Sequence, residues 1–282
     1  MSYYCNVPAW SHSGALGPEH WHEHFPAAKG DLQSPIALYS DSPVKACDLQ
    51  LNGYNSATEL TAVNMGSTVY FTNDCAKMAN PPIYVNGVHG WWEKYSFNHF
   101  HMHWGETSAD GSEHTIDDKR FPMELHLVHC LGNLSLAQAC NRPKGLAVLG
   151  FMYKITHEDN PAYTPLLDAI KHVKYKGEEK QVQEGESLSL ASLLPSSLDS
   201  GYFYYSGSLT TPPCSEVVQW MVFSDPISIS EKQISIFRTL HRCSGHGCVE
   251  NMSGNWRPLQ PLKGRDVFQS KKVNAQLNKE PY

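Results

Sequence analysis

Apolar and polar residues alternate over many short stretches of this chain, which is the pattern of strands that bury one face. Gly and Pro residues lie between these stretches at turn-like intervals. The stretches predicted as strands are Leu60–Val63, Thr68–Thr72, Ser96–Trp104, Glu124–Cys130, Leu146–Ile155, Tyr202–Tyr205 and Val217–Phe223. Such frequent short strands predict a large β-sheet.

Helical spacing of apolar residues occurs in few places. The predicted helical positions are Leu166, Leu167, Ile170 and Val173 after Pro165, and Ile234, Phe237 and Leu240 after the capping-box sequence Ser230-Glu-Lys-Gln233. Because strands are many and helices few, we expect a mainly β protein with one sheet domain and short peripheral helices. The sequence has no internal repeat and no linker that would separate two domains.

The composition supports a folded core and excludes two kinds of partner. Of the 282 residues, 41% are hydrophobic and 18% are charged, which is typical of a globular rather than a disordered protein. The net charge of −6 comes without a basic block, so we expect no binding of nucleic acid. No run of about 18 apolar residues occurs, so we expect no membrane span.

The compartment is predicted from the termini and the cysteines. The first ten residues lack the basic start and apolar stretch of an export signal, and the C-terminus is polar. Since the eight cysteines are scattered, we expect reduced thiols in a cytoplasmic protein; the alternative is a secreted protein whose export signal was trimmed. The cysteines are Cys5, Cys47, Cys75, Cys130, Cys140, Cys214, Cys243 and Cys248. The last two could suggest a second metal site, but their short segment favours a surface loop.

Histidines are concentrated in one segment. Seven of the fifteen lie between His89 and His129, and His99, His101 and His103 follow one another at alternate positions. In a strand these three side chains share one face, and apolar side chains occupy the other. Positions two apart lie about 6.6 Å from each other, so two imidazoles can reach one metal, whereas positions four apart lie about 13 Å from each other.

A third ligand can come from the sequence Glu124-Leu-His-Leu-Val-His129. A neighbouring strand is only about 4.8 Å away, so His126 can complete a site of three histidines with an open position, the arrangement of a catalytic zinc. Spacing alone leaves open whether His101 pairs with His99 or with His103. The alternative is a hydrogen-bonded set of histidines that binds no metal.

Several blocks of the sequence resemble the signature sequences of α-class carbonic anhydrases. They occur in family order over about residues 10–265: Gly17-Pro-Glu-His-Trp21, Gln33-Ser-Pro35, Phe100-His-Met-His-Trp-Gly105, Gly111-Ser-Glu-His-Thr115, Glu124-Leu-His-Leu-Val-His129, Gly145-Leu-Ala-Val148, Gly207-Ser-Leu-Thr-Thr-Pro-Pro213 and Asn255-Trp-Arg-Pro258. The resemblance implies one domain over residues 1–282, around a large twisted, mostly antiparallel central sheet with zinc in a conical cavity. It also implies a monomeric zinc lyase that takes part in pH regulation. Such an enzyme hydrates carbon dioxide reversibly to bicarbonate and a proton, by attack of zinc-bound hydroxide.

The resemblance also selects the metal ligands and the residues that support them. The family's zinc ligands match His101, His103 and His126. His99 stands where the family usually has a glutamine that hydrogen-bonds the first ligand, so we expect it to make that contact. Glu124 matches the carboxylate that orients the third ligand, and Asn255 is assigned to the same supporting set. Carbonic anhydrase is the reference case of zinc lowering the pKa of its bound water to about 7.

Two further groups are implied by the same match. Thr210 resembles the residue whose hydroxyl accepts the proton of the attacking hydroxide while it donates to a buried glutamate, here Glu113. Carbon dioxide is apolar, so its binding wall is expected to be apolar too. The matching wall consists of Val128, Val148, Leu209, Val218 and Trp220, with Thr211 beside it.

The family's proton-shuttling histidine is replaced in this chain. Its position holds Ser67, whose hydroxyl does not titrate near neutral pH. The neighbouring cavity positions carry Met65 and Tyr70. His12 stands where the family usually has a cavity tyrosine, and we expect it to take over part of the proton transfer. The alternative is a surface histidine without that role.

Two family variants are weighed against this picture. Inactive relatives that serve as binding modules have lost a zinc histidine, and this chain keeps all three, while an esterase activity is expected only as a side reaction.

Secreted relatives tie a cysteine after Thr-Thr-Pro-Pro to one near the N-terminus. Here Cys214 has the first position but Ala28 has the second, so we expect no such disulfide; a bridge from Cys214 to Cys5 would contradict this.

Overall fold

The strands of the computed structural model follow the alternating segments of the sequence, over the residues that it describes: 8–73, 82–182, 188–245, 247–271 and 273–275. The strands are β1 Ala37–Leu38, β2 Leu49–Asn52, β3 Ala57–Thr58, β4 Leu60–Asn64, β5 Val69–Thr72, β6 Tyr84–Asn86, β7 Tyr95–Trp104, β8 Thr115–Ile116, β9 Met123–Leu131, β10 Leu146–Thr156, β11 Glu179–Val182, β12 Leu188–Ser189, β13 Tyr202–Gly207, β14 Val218–Ser230, β15 Phe268–Ser270 and β16 Val273–Ala275. The helices are α1 Leu136–Ala139, α2 Thr164–Ile170, α3 Leu190–Leu193 and α4 Glu231–Phe237, with 3-10 turns at Gly14–Leu16, Trp21–Glu23, Pro26–Lys29 and Pro161–Tyr163.

Within the described residues, twelve strands form one sheet. Its main path runs β11-β4-β5-β7-β9-β10-β14-β13-β15, and β6 joins β7 to β2, which pairs with β16. Most neighbours are antiparallel, but β10 pairs with β14 in parallel, as does β16 with β2. The predicted fold class, mainly β with a large central sheet and few short helices, is confirmed.

The two faces of the sheet have different roles, and β7 illustrates the division. Phe100, Met102 and Trp104 are completely buried in the larger apolar core. The alternate positions His101 and His103 point to the opposite face, where they line a cavity. Strand alternation therefore separates the residues that stabilise the fold from those that form the site.

Helices α2, α3 and α4 lie on the side of the large core, whereas α1 packs against the smaller apolar cluster. The capping box of α4 is present: the Ser230 hydroxyl accepts from the Gln233 backbone N–H, and the Gln233 side chain accepts from the Ser230 N–H. Helix α2 ends at Ile170, before the predicted helical position Val173, which is nevertheless fully buried. Its apolar spacing therefore continues past the helix end because the following turn also packs on the core.

Four of the cysteines in the described residues are free, and Cys243 and Cys248 form a disulfide. The expectation of reduced thiols was therefore wrong for this pair, because the short loop returns and brings the two sulfurs together. Cys214 is free and buried, as expected; Cys5 and Cys75 lie outside the described residues. No helix in the described part of the chain is long and apolar enough to cross a membrane.

Candidate metal centre and active site

Three histidine side chains meet at the centre of the sheet. In the pairing of β7 with β9, His101 lies opposite His126 and His103 lies opposite Glu124. Nitrogen atoms of His101, His103 and His126 lie within 4.8 Å of one another. An overlapping group, His114, Glu124 and His126, also meets that distance, so the geometry offers two candidate sets of metal ligands.

The hydrogen bonds of the histidines favour the first set. His103 Nδ1 donates to the backbone oxygen of Asn255 at 2.7 Å, which leaves Nε2 buried without a hydrogen-bond partner. His126 Nε2 lies 2.8 Å from the carboxylate of Glu124, so its Nδ1 remains for a metal. Metal-bound histidines usually donate their second N–H to a carbonyl or carboxylate in this way. The residues therefore fit a zinc ion.

Glu124 is completely buried and accepts four hydrogen bonds. Its oxygens accept from the backbone N–H groups of Glu113 and His114 at 2.8 and 2.9 Å, and from the rings of His114 and His126 at 2.7 and 2.8 Å. Burial alone would raise its pKa, but the interactions with the two histidines hold the pKa of Glu124 well below its usual range. The hydrogen bond between His114 and Glu124 already uses a ring nitrogen of His114 and the carboxylate of Glu124. This disfavours His114, Glu124 and His126 as the set of metal ligands.

Glu113 lies beside the three histidines and is fully buried as well. The Thr210 hydroxyl hydrogen-bonds its carboxylate, and the Arg257 backbone N–H donates to its Oε1 at 2.9 Å. Its Oε2 has no hydrogen-bond partner and lies 3.4 Å from His103 Nε2. Burial raises the pKa of Glu113 to about 7, and a cation at the histidines would favour its charged form.

Asn255 and His99 support the site in different ways. Asn255 accepts from the Trp104 backbone N–H at 2.8 Å and donates to the Ser67 backbone oxygen at 2.9 Å, in addition to its bond with His103. The expected hydrogen bond from His99 to His101 is not formed. His99 Nδ1 bonds the side chain of Asn98 at 2.8 Å, and its ring stacks on that of His101 instead.

An apolar wall stands beside the histidines and encloses a small cavity of about 120 Å³. Of the expected wall residues, Val128, Val148, Leu209 and Trp220 line this cavity, together with Thr210 and Thr211. Val218 is completely buried in the apolar cluster behind the wall and is not among the lining residues. The contact of Val218 with substrate therefore stays a prediction.

The outer part of the cavity contains the residues that were compared with the family's proton shuttle. Ser67 and Tyr70 line both the inner cavity and the adjoining outer one, and Met65 and His12 line the outer one. His12 is only 9% exposed, and its ring packs edge-on against Trp10 and Trp21.

His12 is poorly suited to the proton transfer that we expected of it. Burial, with smaller contributions from His103 and Arg242, lowers its pKa well below the usual value. A group that relays protons near neutral pH needs a pKa in that range. Aromatic packing that removes the ring from water therefore disfavours the shuttle hypothesis.

Some residues of the site were missed by the sequence analysis. Leu136 and Cys140 also line the inner cavity, and neither position carries a chemical signal in the sequence. His114 hydrogen-bonds both Glu124 and the Tyr205 hydroxyl, each at 2.7 Å. His114 lies inside one of the signature blocks, which could have identified it, but the block gave it no role.

We predict that Glu124→Gln weakens zinc binding about 10- to 100-fold, the range typical of removing a partner of a metal-bound histidine. The amide keeps the shape of the side chain but removes the charge that faces His126. Titration against a chromophoric chelator measures the dissociation constant, and Glu158→Gln, whose side chain is 91% exposed, serves as the control. An unchanged dissociation constant for Glu124→Gln would contradict the supporting role.

Comparison with known proteins identifies the family. The family model described as eukaryotic-type carbonic anhydrase matches residues 16–271. Carbonic anhydrase 7 of Homo sapiens is 38% identical over 266 residues, 92% of this chain and 96% of the relative. Carbonic anhydrase 3 of Rattus norvegicus is 36% identical over 265 residues, with the same coverage of each chain. These matches confirm the resemblance of the signature blocks, and the chain therefore belongs to the eukaryotic-type carbonic anhydrase family.

Proposed function

We propose that this chain is a zinc enzyme that hydrates carbon dioxide reversibly to bicarbonate and a proton. The observation that carries the proposal is the meeting of three imidazoles, two of them buried and that of His101 half-buried, with an unpartnered nitrogen on His103, beside an apolar wall. His101, His103 and His126 would hold the metal. A set of three protein ligands is typical of catalytic rather than structural zinc sites.

The protein's own contribution begins with the orientation of the ligands. When bound, zinc supplies the Lewis acidity that makes water a nucleophile near neutral pH. The Asn255 carbonyl fixes the ring of His103, and the Glu124 carboxylate fixes that of His126. The negative charge of Glu124 also makes the His126 ring a stronger electron donor.

Thr210 would then select and orient the nucleophile. Its hydroxyl proton is used in the hydrogen bond to Glu113, so its oxygen can only accept a hydrogen bond from a group in the cavity. A nucleophile that carries a proton satisfies this acceptor, and its lone pair is then directed towards the substrate. Groups without a proton leave the buried oxygen unsatisfied, which is costly.

The apolar wall would bind the substrate and release the product. Val128, Val148, Leu209 and Trp220 offer no charge and few polar atoms to a molecule in the cavity. Carbon dioxide is apolar and is stabilised there, whereas bicarbonate is charged and is poorly solvated by such a wall. The same surface thus favours entry of the substrate and departure of the product.

Compartment, oligomeric state and domain bounds stay predictions: a cytoplasmic monomer with one domain over residues 1–282. Cys214 is a free thiol at the position where secreted relatives are expected to form a disulfide, which supports a reducing compartment. The disulfide between Cys243 and Cys248 supports the secreted alternative, because disulfides are rare in the cytosol.

We predict that His103→Ala abolishes zinc binding and carbon dioxide hydration together, because two imidazoles hold zinc poorly. Zinc content by mass spectrometry and stopped-flow hydration rates measure the two effects. His157→Ala, at a side chain that is 97% exposed, should change neither. Near-normal hydration by His103→Ala would contradict the ligand assignment, as would hydration by the native protein that survives complete removal of zinc by a chelator.

A further prediction concerns the proton released in each turnover. A group with a pKa near 7 loses its proton directly to water at only about 10³ s⁻¹, since recombination is limited to about 10¹⁰ M⁻¹s⁻¹. Ser67 lines the cavity and its backbone is held by Asn255, so a histidine there would face the cavity. Ser67→His should therefore raise the hydration rate several-fold at low buffer and leave it unchanged at high buffer.

The matched comparison for this prediction is His12→Ala. Because burial keeps His12 uncharged, its removal should leave the low-buffer rate unchanged. A loss of rate at low buffer, restored by added imidazole, would reinstate His12 as the shuttle. If Ser67→His gains nothing at low buffer, proton transfer does not limit the native enzyme.

A further inference from the structure

Three rings on two adjacent strands stack against one another, and one of them belongs to a proposed zinc ligand. Tyr70 on β5 lies opposite His101 on β7 in the strand pairing. The Tyr70 ring stacks on His99 at 4.2 Å between centroids and on His101 at 5.3 Å, with interplanar angles of 20° and 30°. His99 and His101 complete the set at 5.3 Å and 24°.

His101 differs from the other two proposed ligands in how its ring is held. His103 and His126 each use their second nitrogen in a hydrogen bond to the protein. The Nδ1 atom of His101 is buried without a hydrogen-bond partner, and so is Nε2 of His99. Hydrogen bonding to the protein therefore does not fix the plane of the His101 ring. The other two ligands meet this ring edge-on, and Tyr70 and His99 stack against it.

We propose that Tyr70 is a positioning residue for the metal site: its ring, stacked with that of His99, fixes the plane of His101. This proposal rests on the proposed function, because it assigns His101 as a zinc ligand. Stacked aromatic pairs contribute roughly a two- to tenfold factor in an equilibrium constant. A ring that is held in the binding plane also loses less freedom when zinc binds, so zinc stays bound longer.

The alternative is that Tyr70 only fills space on the cavity wall. Two substitutions separate these roles. Tyr70→Leu keeps an apolar side chain of substantial volume but removes the ring, and Tyr70→Phe keeps the ring and removes the hydroxyl. If stacking is what matters, the phenylalanine variant behaves as the native protein; if only filling matters, both variants do.

The test is the rate of zinc loss from the zinc-loaded, full-length protein into excess chelator. We expect Tyr70→Leu to lose zinc about two- to tenfold faster than native protein, and Tyr70→Phe to match the native rate. Tyr39→Leu, at a tyrosine that is 44% exposed and outside the cavity lining, controls for loss of a tyrosine ring. Thermal unfolding of the zinc-free variants is compared in parallel, because a merely structural role would lower that temperature without a selective effect on zinc.

A double substitution sharpens the test. If Tyr70 acts through His99, then adding Tyr70→Leu to His99→Leu should accelerate zinc loss less than it does in native protein. Equal rates for native protein and Tyr70→Leu would overturn the positioning role while leaving the proposed function intact. Equal acceleration by Tyr70→Phe and Tyr70→Leu would also overturn it, since the ring would then not be the cause. A native protein that binds no zinc would instead overturn the proposed function itself.

Discussion

Glu124 holds a negative charge that is fully removed from solvent, and the arrangement of the site follows from how that charge is satisfied. A buried carboxylate is tolerated only when hydrogen bonds and opposite or polarisable partners replace its water. Two backbone N–H groups, from Glu113 and His114, and two imidazoles, from His114 and His126, supply those partners. Satisfying one carboxylate therefore positions both Glu113 and a proposed ligand.

The same carboxylate connects the metal site to more distant parts of the chain. His114 hydrogen-bonds the Tyr205 hydroxyl, which bonds the hydroxyl of Ser34, and Ser34 in turn accepts from the backbone of Ser208, two residues before Thr210. The site also depends on a missing side chain. Gly150 lies opposite His126, and a Cβ atom there would lie only 3.3 Å from Glu124 Oε1.

Strand periodicity predicted the parts of the site that depend on local sequence. The alternation of His99, His101 and His103 placed imidazoles on one face and apolar residues on the other, as the structure has them. Periodicity could not choose between the two histidine pairs, because either pair has the same spacing; the family resemblance made that choice. Periodicity also could not predict that β10 pairs with β14 in parallel, since side chains alternate in the same way in parallel and antiparallel strands.

The features that sequence could not predict depend on tertiary packing. His12 was expected to take over part of the proton transfer, but the rings of Trp10 and Trp21 pack against it. His99 was expected to replace a glutamine by hydrogen bonding, but Tyr70, on a neighbouring strand, stacks on its face. In each case the chemistry of the side chain depends on which rings pack against it in the fold, and the sequence pattern does not show that packing.

The central claim is that His101, His103 and His126, and no other set, bind one zinc ion, with the buried carboxylate of Glu124 orienting His126. The most direct measurement is anomalous diffraction at the zinc absorption edge from crystals of the zinc-loaded protein. The account predicts one strong peak within about 2.0–2.1 Å of a nitrogen of each of these three histidines. Glu124 should be hydrogen-bonded to the other ring nitrogen of His126. A peak bound by His114, Glu124 and His126, or the absence of a peak at the three histidines, would contradict it.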